Sequence, residues 1–181
     1  MTAPIEPGQA LPGEHPAPVT VELEDADATR AYGRALAALL RAGDLVVLTG
    51  DLGAGKTTLT QGIGAGLGVR GQVASPTFII ARVHPSLVGG PALVHVDAYR
   101  LGSLDQLEAL DLDASLEESV TVVEWGEGLV ETLAADRLEV HIRRPHGGLG
   151  HDVLDAAGGT RTVEVRAVGE RWAGVALPAV G

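Results

Sequence analysis

Hydrophobic and polar positions change period several times along this chain, and each change predicts an element. Between Val19 and Leu23 apolar and polar residues alternate, the period-two pattern of a half-buried strand. The period then lengthens. Ala28, Ala31, Tyr32, Ala35, Leu36, Leu39 and Leu40 follow i, i+3, i+4, i+7 spacing, which predicts a helix capped by Asp25 or Asp27 and closed by Gly43. Leu45-Val46-Val47-Leu48-Thr49 is a short apolar, β-branched run of the kind that makes a buried parallel strand. Leu59, Ile63 and Leu67 recur at four-residue spacing and predict a helix from about Lys56 to Leu67, with Gly68 as its C-cap. Further strands are predicted around Phe78–Val83, Ala92–Val96, Val120–Glu124, Arg137–Ile142 and Thr162–Ala167. Helices are predicted at Leu104–Leu110 and, briefly, at Gly126–Leu133, with a loop or hairpin connection between Arg143 and Gly159. Met1 to Pro18 holds five of the ten prolines and no periodicity, so it reads as a disordered extension preceding one domain over 19–181. Strands interleaved with helices give a layered α/β fold.

Between the first buried strand and its helix lies Gly50-Asp51-Leu52-Gly53-Ala54-Gly55-Lys56-Thr57, a match to G-x-x-x-x-G-K-[ST]. Lys56 is the one lysine in a chain with twelve arginines. A planar guanidinium serves for ordinary surface charge, whereas a compact ammonium suits the β/γ-phosphates of a nucleotide. The glycine-rich turn aims backbone N–H groups at a phosphate chain, the following helix aims its positive end at the same anion, and the Thr57 hydroxyl can ligate Mg²⁺. Strand, glycine loop and helix in this order predict a nucleoside triphosphate site. The expected fold is thus P-loop NTPase-like: three layers around a mixed, mostly parallel central sheet.

Composition narrows the partners. A net charge of −11 argues against a direct grip on nucleic acid, whose affinity depends on Lys and Arg neutralising phosphates. Five aromatics among 181 residues leave the core to Val, Leu, Ala and Ile. With no cysteine there is no disulfide and no thiolate chemistry. The first residues lack a basic segment followed by an apolar stretch, and no apolar run approaches the ~18 residues of a membrane span, so a cytoplasmic protein is expected.

Ligands of open α/β sheets sit at the carboxyl ends of the strands, and two acids end apolar runs there: Asp97 after Ala92–Val96, and Glu124 after Val120–Val123. A P-loop enzyme needs one acid to hold Mg²⁺, and a second often orients the attacking water. Ser75-Pro76-Thr77-Phe78 follows the P-loop helix closely; its hydroxyls either reach γ-phosphate or Mg²⁺ as a switch segment, or merely open a strand at a proline turn. His95 and Asp97 share one face of a strand, but no further His or Cys lies at ligand spacing, which leaves no zinc site. Phe78, Tyr99 and Trp125 each adjoin one of these motifs, and Arg100 and Arg161 are candidate phosphate or base contacts. No serine stands in a G-x-S-x-G setting, so a hydrolase triad has no support.

Gly50 to Thr58, Ser75-Pro76-Thr77-Phe78, His95-Val96-Asp97-Ala98-Tyr99-Arg100-Leu101 and Val123-Glu124-Trp125 together, in this order, closely resemble the TsaE (YjeE) family over roughly residues 19–167. Its members are small bacterial ATPases needed to make the threonylcarbamoyl adenosine of tRNA. The resemblance implies that Gly53, Ala54, Gly55, Lys56, Thr57 and Thr58 wrap the phosphates of ATP, and that Thr57 and Glu124 bind Mg²⁺. It implies Asp97, with Lys56, as the residues required for hydrolysis, Ser75 and Thr77 in a switch-like segment, and Trp125 beside the nucleotide. Arg161, after the Gly158-Gly159 turn, would match a nucleotide-proximal arginine, and Asp27 and Thr29 would approach the base. The partners implied are TsaD and TsaB, with tRNA held by the partner. Trp125 is followed by Gly126 where the family commonly has proline.

Other readings remain open at this level. A small-molecule kinase would fit the length and could use Arg143-Arg144 in a lid. A GTPase would need a second lysine for its guanine-reading N-K-x-D motif, and the chain has none to give. A nucleotide-binding scaffold without hydrolysis would not need both Asp97 and Glu124.

Overall fold

The computed structural model describes residues 15–74, 81–99, 115–125, 128, 134–144 and 159–179. Ser75, Thr77, Phe78 and Arg100 lie outside those residues. So do the helix predicted at Leu104–Leu110, all but Gly128 of the one predicted at Gly126–Leu133, and most of the predicted extension and of the 143–159 connection.

Among the described residues seven strands form one sheet: β1 (Val19–Leu23), β2 (Leu45–Gly50), β3 (Ala81–His84), β4 (Ala92–Asp97), β5 (Ser119–Glu124), β6 (Arg137–Arg143) and β7 (Arg161–Val168). Their order across the sheet is β1-β7-β6-β2-β5-β4-β3. The four central strands β6, β2, β5 and β4 run parallel, while β7 and β3 run antiparallel to their inner neighbours and β1 antiparallel to β7. Five of the seven strands therefore point the same way, in the mixed, mostly parallel sheet expected. Every residue of β5 is buried, as is β2 from Leu45 to Leu48, so these central strands read as unbroken apolar runs. In β6 and β7 buried residues alternate with more exposed ones, as a sheet buried on one face requires.

Two helices precede and follow β2. Helix α1 (Ala26–Ala37) starts at Asp25, whose backbone is extended and whose carboxylate accepts the Ala28 N–H at 2.8 Å. It ends earlier than the apolar spacing predicts. Leu39 and Leu40 bond to the carbonyls three residues back, the chain tightens out of the α-helix, and Gly43 belongs to a turn beyond it. The cause is partly distant. Asp44 captures the Arg41 N–H, and Arg171 bonds both the Leu39 carbonyl and the Asp44 carboxylate. Helix α2 (Lys56–Leu67) has the expected limits, and Gly68 closes it at φ 69°.

Both helices pack on the same face of the sheet. Tyr32, Leu36, Leu59 and Ile63 are fully buried and join Val46, Leu48, Val122, Val140 and Val163 in the larger core. A smaller core on the opposite face gathers Leu45, Val47, Val94, Val96 and Val123. Where α1 crosses α2 the two backbones nearly touch. A Cβ on Gly33 would stand 2.9 Å from the Gly62 Cα, and one on Gly62 2.8 Å from the Arg30 Cα. Only glycine permits that approach. It clamps the P-loop helix directly to the first helix.

Candidate functional site

The carboxyl ends of β2, β5 and β4 lie side by side, with Leu48 in register with Glu124 and Glu124 in register with Asp97. The turn that leaves β2 therefore opens beside both acids. Gly55 stands at the N-cap of α2 with φ 114°, a left-handed value that other residues adopt only under strain. No side chain caps this helix and its first turn carries no acid, in contrast to α1 with Asp25 and Asp27. The leading N–H groups of α2 are thus left for an outside anion.

Lys56 is buried, and its ammonium donates to the carbonyls of Gly50 at 2.7 Å and Asp51 at 2.9 Å. The Trp125 ring covers it, 4.1 Å from ammonium to ring centroid. Burial lowers the Lys56 pKa, and the carboxylates of Glu124, Asp97 and Asp51 work against that shift. Three acids around one ammonium would repel a bare triphosphate, so a divalent cation is the natural counter-charge here.

Thr57 donates its hydroxyl to Glu124 Oε1 at 3.1 Å, across two elements 67 residues apart in sequence. Glu124 is 2% exposed. Among the described residues no three His, Cys, Asp or Glu side chains gather as a metal cage. One hydroxyl and one carboxylate are the donor types that suit a Mg²⁺ ion which keeps several waters and is held mainly by substrate phosphates. The residues present fit such an ion. Asp97 is only partly buried, and its Oδ1 accepts the Tyr99 N–H at 3.0 Å. That bond holds one carboxylate oxygen in a turn.

The strand ends are tied together by backbone. Ala98 N–H bonds the Glu124 carbonyl at 2.8 Å, and Trp125 N–H bonds the Leu48 carbonyl at 3.0 Å. Trp125 has φ 61°, the one non-glycine with positive φ among the described residues, and Tyr99 tilts against its ring at 5.3 Å between centroids.

Arg161 lies against the glycine loop. It is 2% exposed, its Nε donates to the Ala54 carbonyl at 3.1 Å, and an Nη donates to the Gly159 carbonyl at 3.2 Å. A Cβ on Gly55 would meet that Nε at 2.9 Å. The guanidinium thus braces the glycine turn from below. Thr29 turns its hydroxyl to the Asp25 carbonyl, and the exposed Asp27 pairs with Arg30.

The structure gathers Gly53, Ala54, Gly55, Lys56, Thr57, Thr58, Asp97, Glu124 and Trp125 at one end of the sheet. Two features escape a reading of the sequence. The stacking of Lys56 under Trp125 depends on a backbone turn at position 125 that no residue pattern announces. His95 is fully buried and places Nε2 3.6 Å from Glu124 Oε1. Its two-residue offset from Asp97 was the available signal, since it sets both on one face of β4.

Comparison with known proteins finds relatives that share one description. A family model described as "Threonylcarbamoyl adenosine biosynthesis protein TsaE" matches residues 23–148. A Streptomyces coelicolor "tRNA threonylcarbamoyladenosine biosynthesis protein TsaE" is 65% identical over 145 residues, 80% of this chain and 93% of that protein. A Bacillus subtilis protein of the same name is 37% identical over 145 residues, covering 80% of this chain and 82% of its own. Among solved structures, Bacillus subtilis YdiB superposes with a TM-score of 0.63 at 30% identity, over 86% of this chain and 89% of the other.

Proposed function

The chain belongs to the TsaE family, and from that premise we propose that it is a Mg²⁺-dependent ATPase that sustains threonylcarbamoyl transfer to tRNA adenosine by a partner complex. Its relatives carry the name of tRNA threonylcarbamoyladenosine biosynthesis. The observation that supports the nucleotide half is the 3.1 Å meeting of Thr57 and Glu124 at an uncapped helix N-terminus beside Lys56.

The chain's own residues divide the work. The N–H groups of Gly53 to Thr58 take the phosphates. Lys56 exchanges its two carbonyl partners for β/γ oxygens, so that the acceptors as well as the donor carry charge. Thr57 and Glu124 hold Mg²⁺, which when bound neutralises charge on the transferring phosphoryl group. Asp97 orients the water, and Trp125 shields the ammonium from solvent until nucleotide arrives. Ser75 and Thr77 complete the phosphate shell in this reading. Arg161 fixes the loop backbone on which all of this rests.

A chain of net charge −11 is poorly suited to holding tRNA, so tRNA stays with a partner. TsaD and TsaB are the partners we assign, with TsaD performing the transfer. A cytoplasmic location belongs to the same proposal. The deciding experiment is phosphate release from ATP, without added acceptor, in the absence and presence of TsaD and TsaB. Release that rises with the partners is expected. No release under either condition overturns the ATPase reading and leaves the small-molecule kinase as the alternative.

A further inference from the structure

Buried polar atoms in folded proteins are nearly always paired, so each exception calls for an explanation. His95 is the most complete exception among the described residues: it is fully buried and neither ring nitrogen makes a hydrogen bond. His84, also with an unpaired nitrogen, at least bonds the Arg70 carbonyl through Nδ1. The position of His95 is informative. In β4 it is in register with Val122 of β5, two residues below the Asp97–Glu124 pair and on the same face. Alternation places it on the face of Leu93, which is the side of the P-loop helix. Its Nε2 lies 3.6 Å from Glu124 Oε1, too far for a hydrogen bond, while that same oxygen accepts the Thr57 hydroxyl.

We propose that His95 is the positioning residue of Glu124. Its Nε2–H holds the carboxylate when Glu124 engages a divalent cation, a pairing that a carboxylate shift of about half an ångström would complete. A ring that carries a proton on Nε2 can donate it to the carboxylate. Both residues sit on rigid, buried parallel strands, so the distance is set by the sheet. Carboxylates that bind metal ions are themselves commonly held by such outer partners, and losing one typically costs 10–100-fold in metal affinity. The inference rests on the reading of Glu124 as the Mg²⁺ acid.

The test uses the full chain and three measurements: ATP affinity in EDTA, the Mg²⁺ concentration needed for tight ATP binding, and the melting temperature without nucleotide. His95→Leu should keep EDTA affinity within about twofold, raise the Mg²⁺ requirement about 10–100-fold, and melt no lower than wild type, because it removes two unpaired nitrogens. His95→Phe, a ring without donors, is the second apolar variant should leucine fold poorly. His95→Gln returns an N–H and should recover most of the Mg²⁺ affinity. In a Glu124→Gln background His95→Leu should add nothing. An unchanged Mg²⁺ requirement in the apolar variants, an equal loss with and without Mg²⁺, or additivity with Glu124→Gln overturns the proposal. If Glu124→Gln loses the Mg²⁺ dependence and His95→Leu does not, the inference falls and the site reading stands. If wild type binds ATP no better with Mg²⁺ than in EDTA, both fall.

Discussion

Lys56 and Asp97 show how much can hang on the shape of one side chain. Lys56 bonds two backbone carbonyls beneath Trp125, a compact arrangement suited to a point donor. Lys56→Arg keeps the charge but replaces a point donor with a planar fork too wide for that space. Triphosphate affinity should fall by at least about tenfold, or roughly 1.4 kcal/mol, in a titration with ATP, and wild-type affinity would remove the P-loop assignment. Asp97 makes the complementary case. Its Oδ1 is fixed by the Tyr99 N–H, so Asp97→Asn should keep fold and ATP affinity. The amide cannot take a proton or supply the same field at the departing phosphoryl group, so turnover should drop by about 10²–10⁴. A variant with a lowered melting temperature but normal turnover per folded molecule would make Asp97 structural.

At the scale of elements, the parts legible in the sequence are those decided by neighbours in the chain. The limits of α2 follow from a local motif at one end and Gly68 at the other, and the apolar runs locate β2, β4 and β5 within a residue or so. The early end of α1 was not legible, because Arg171 and Asp44 reshape it from outside its own window. The same holds for Arg161. Sequence places it after a glycine turn, but only the pairing of β7 with β6 and β1 carries its guanidinium under Ala54. Local propensity misleads outright at Gly62. Within a helix, glycine to alanine ordinarily gains ~1 kcal/mol. Here the added methyl would press on the Arg30 backbone, which cannot move as a side-chain tip can. Gly62→Ala should therefore destabilise by about 1–3 kcal/mol in urea unfolding, and should weaken ATP binding because α2 carries the loop. A stabilised variant would show that α1 yields freely.

For the whole molecule, the four parallel strands at the centre bring the candidate site together, and the chain's last described segment locks the helix side closed. After β7 a 3-10 turn at Glu170–Trp172 buries Trp172 completely in the main core. Arg171 stacks on it while gripping Asp44, and farther on the Tyr32 hydroxyl donates to the Pro178 carbonyl at 2.8 Å. Nothing in the hydrophobic periodicity announces this arm, since it has no period and works through single anchors. Tyr32 makes it testable through pH. Burial raises its pKa from 10.0 to about 12, because the phenolate would lose its water inside the core. A raised folded-state value means that folding favours the protonated form. The Tyr32 contribution is thus fully present below pH 10 and is lost as pH climbs from 10 toward 12. Lys56, with its lowered pKa, pulls the other way in the alkaline range, but it is common to wild type and to a Tyr32→Phe variant and cancels in their difference. At neutral pH the Tyr32→Phe variant should be less stable by about 1 kcal/mol, the usual net worth of one hydrogen bond. As pH rises above 10 that gap should close and then reverse, since the variant's phenyl ring has no proton to lose. Melting curves of both proteins from about pH 8 to about pH 11.5 span that window and decide it. Parallel curves would mean that Tyr32 ionises in place without strain, and that the arm opens before the core is challenged.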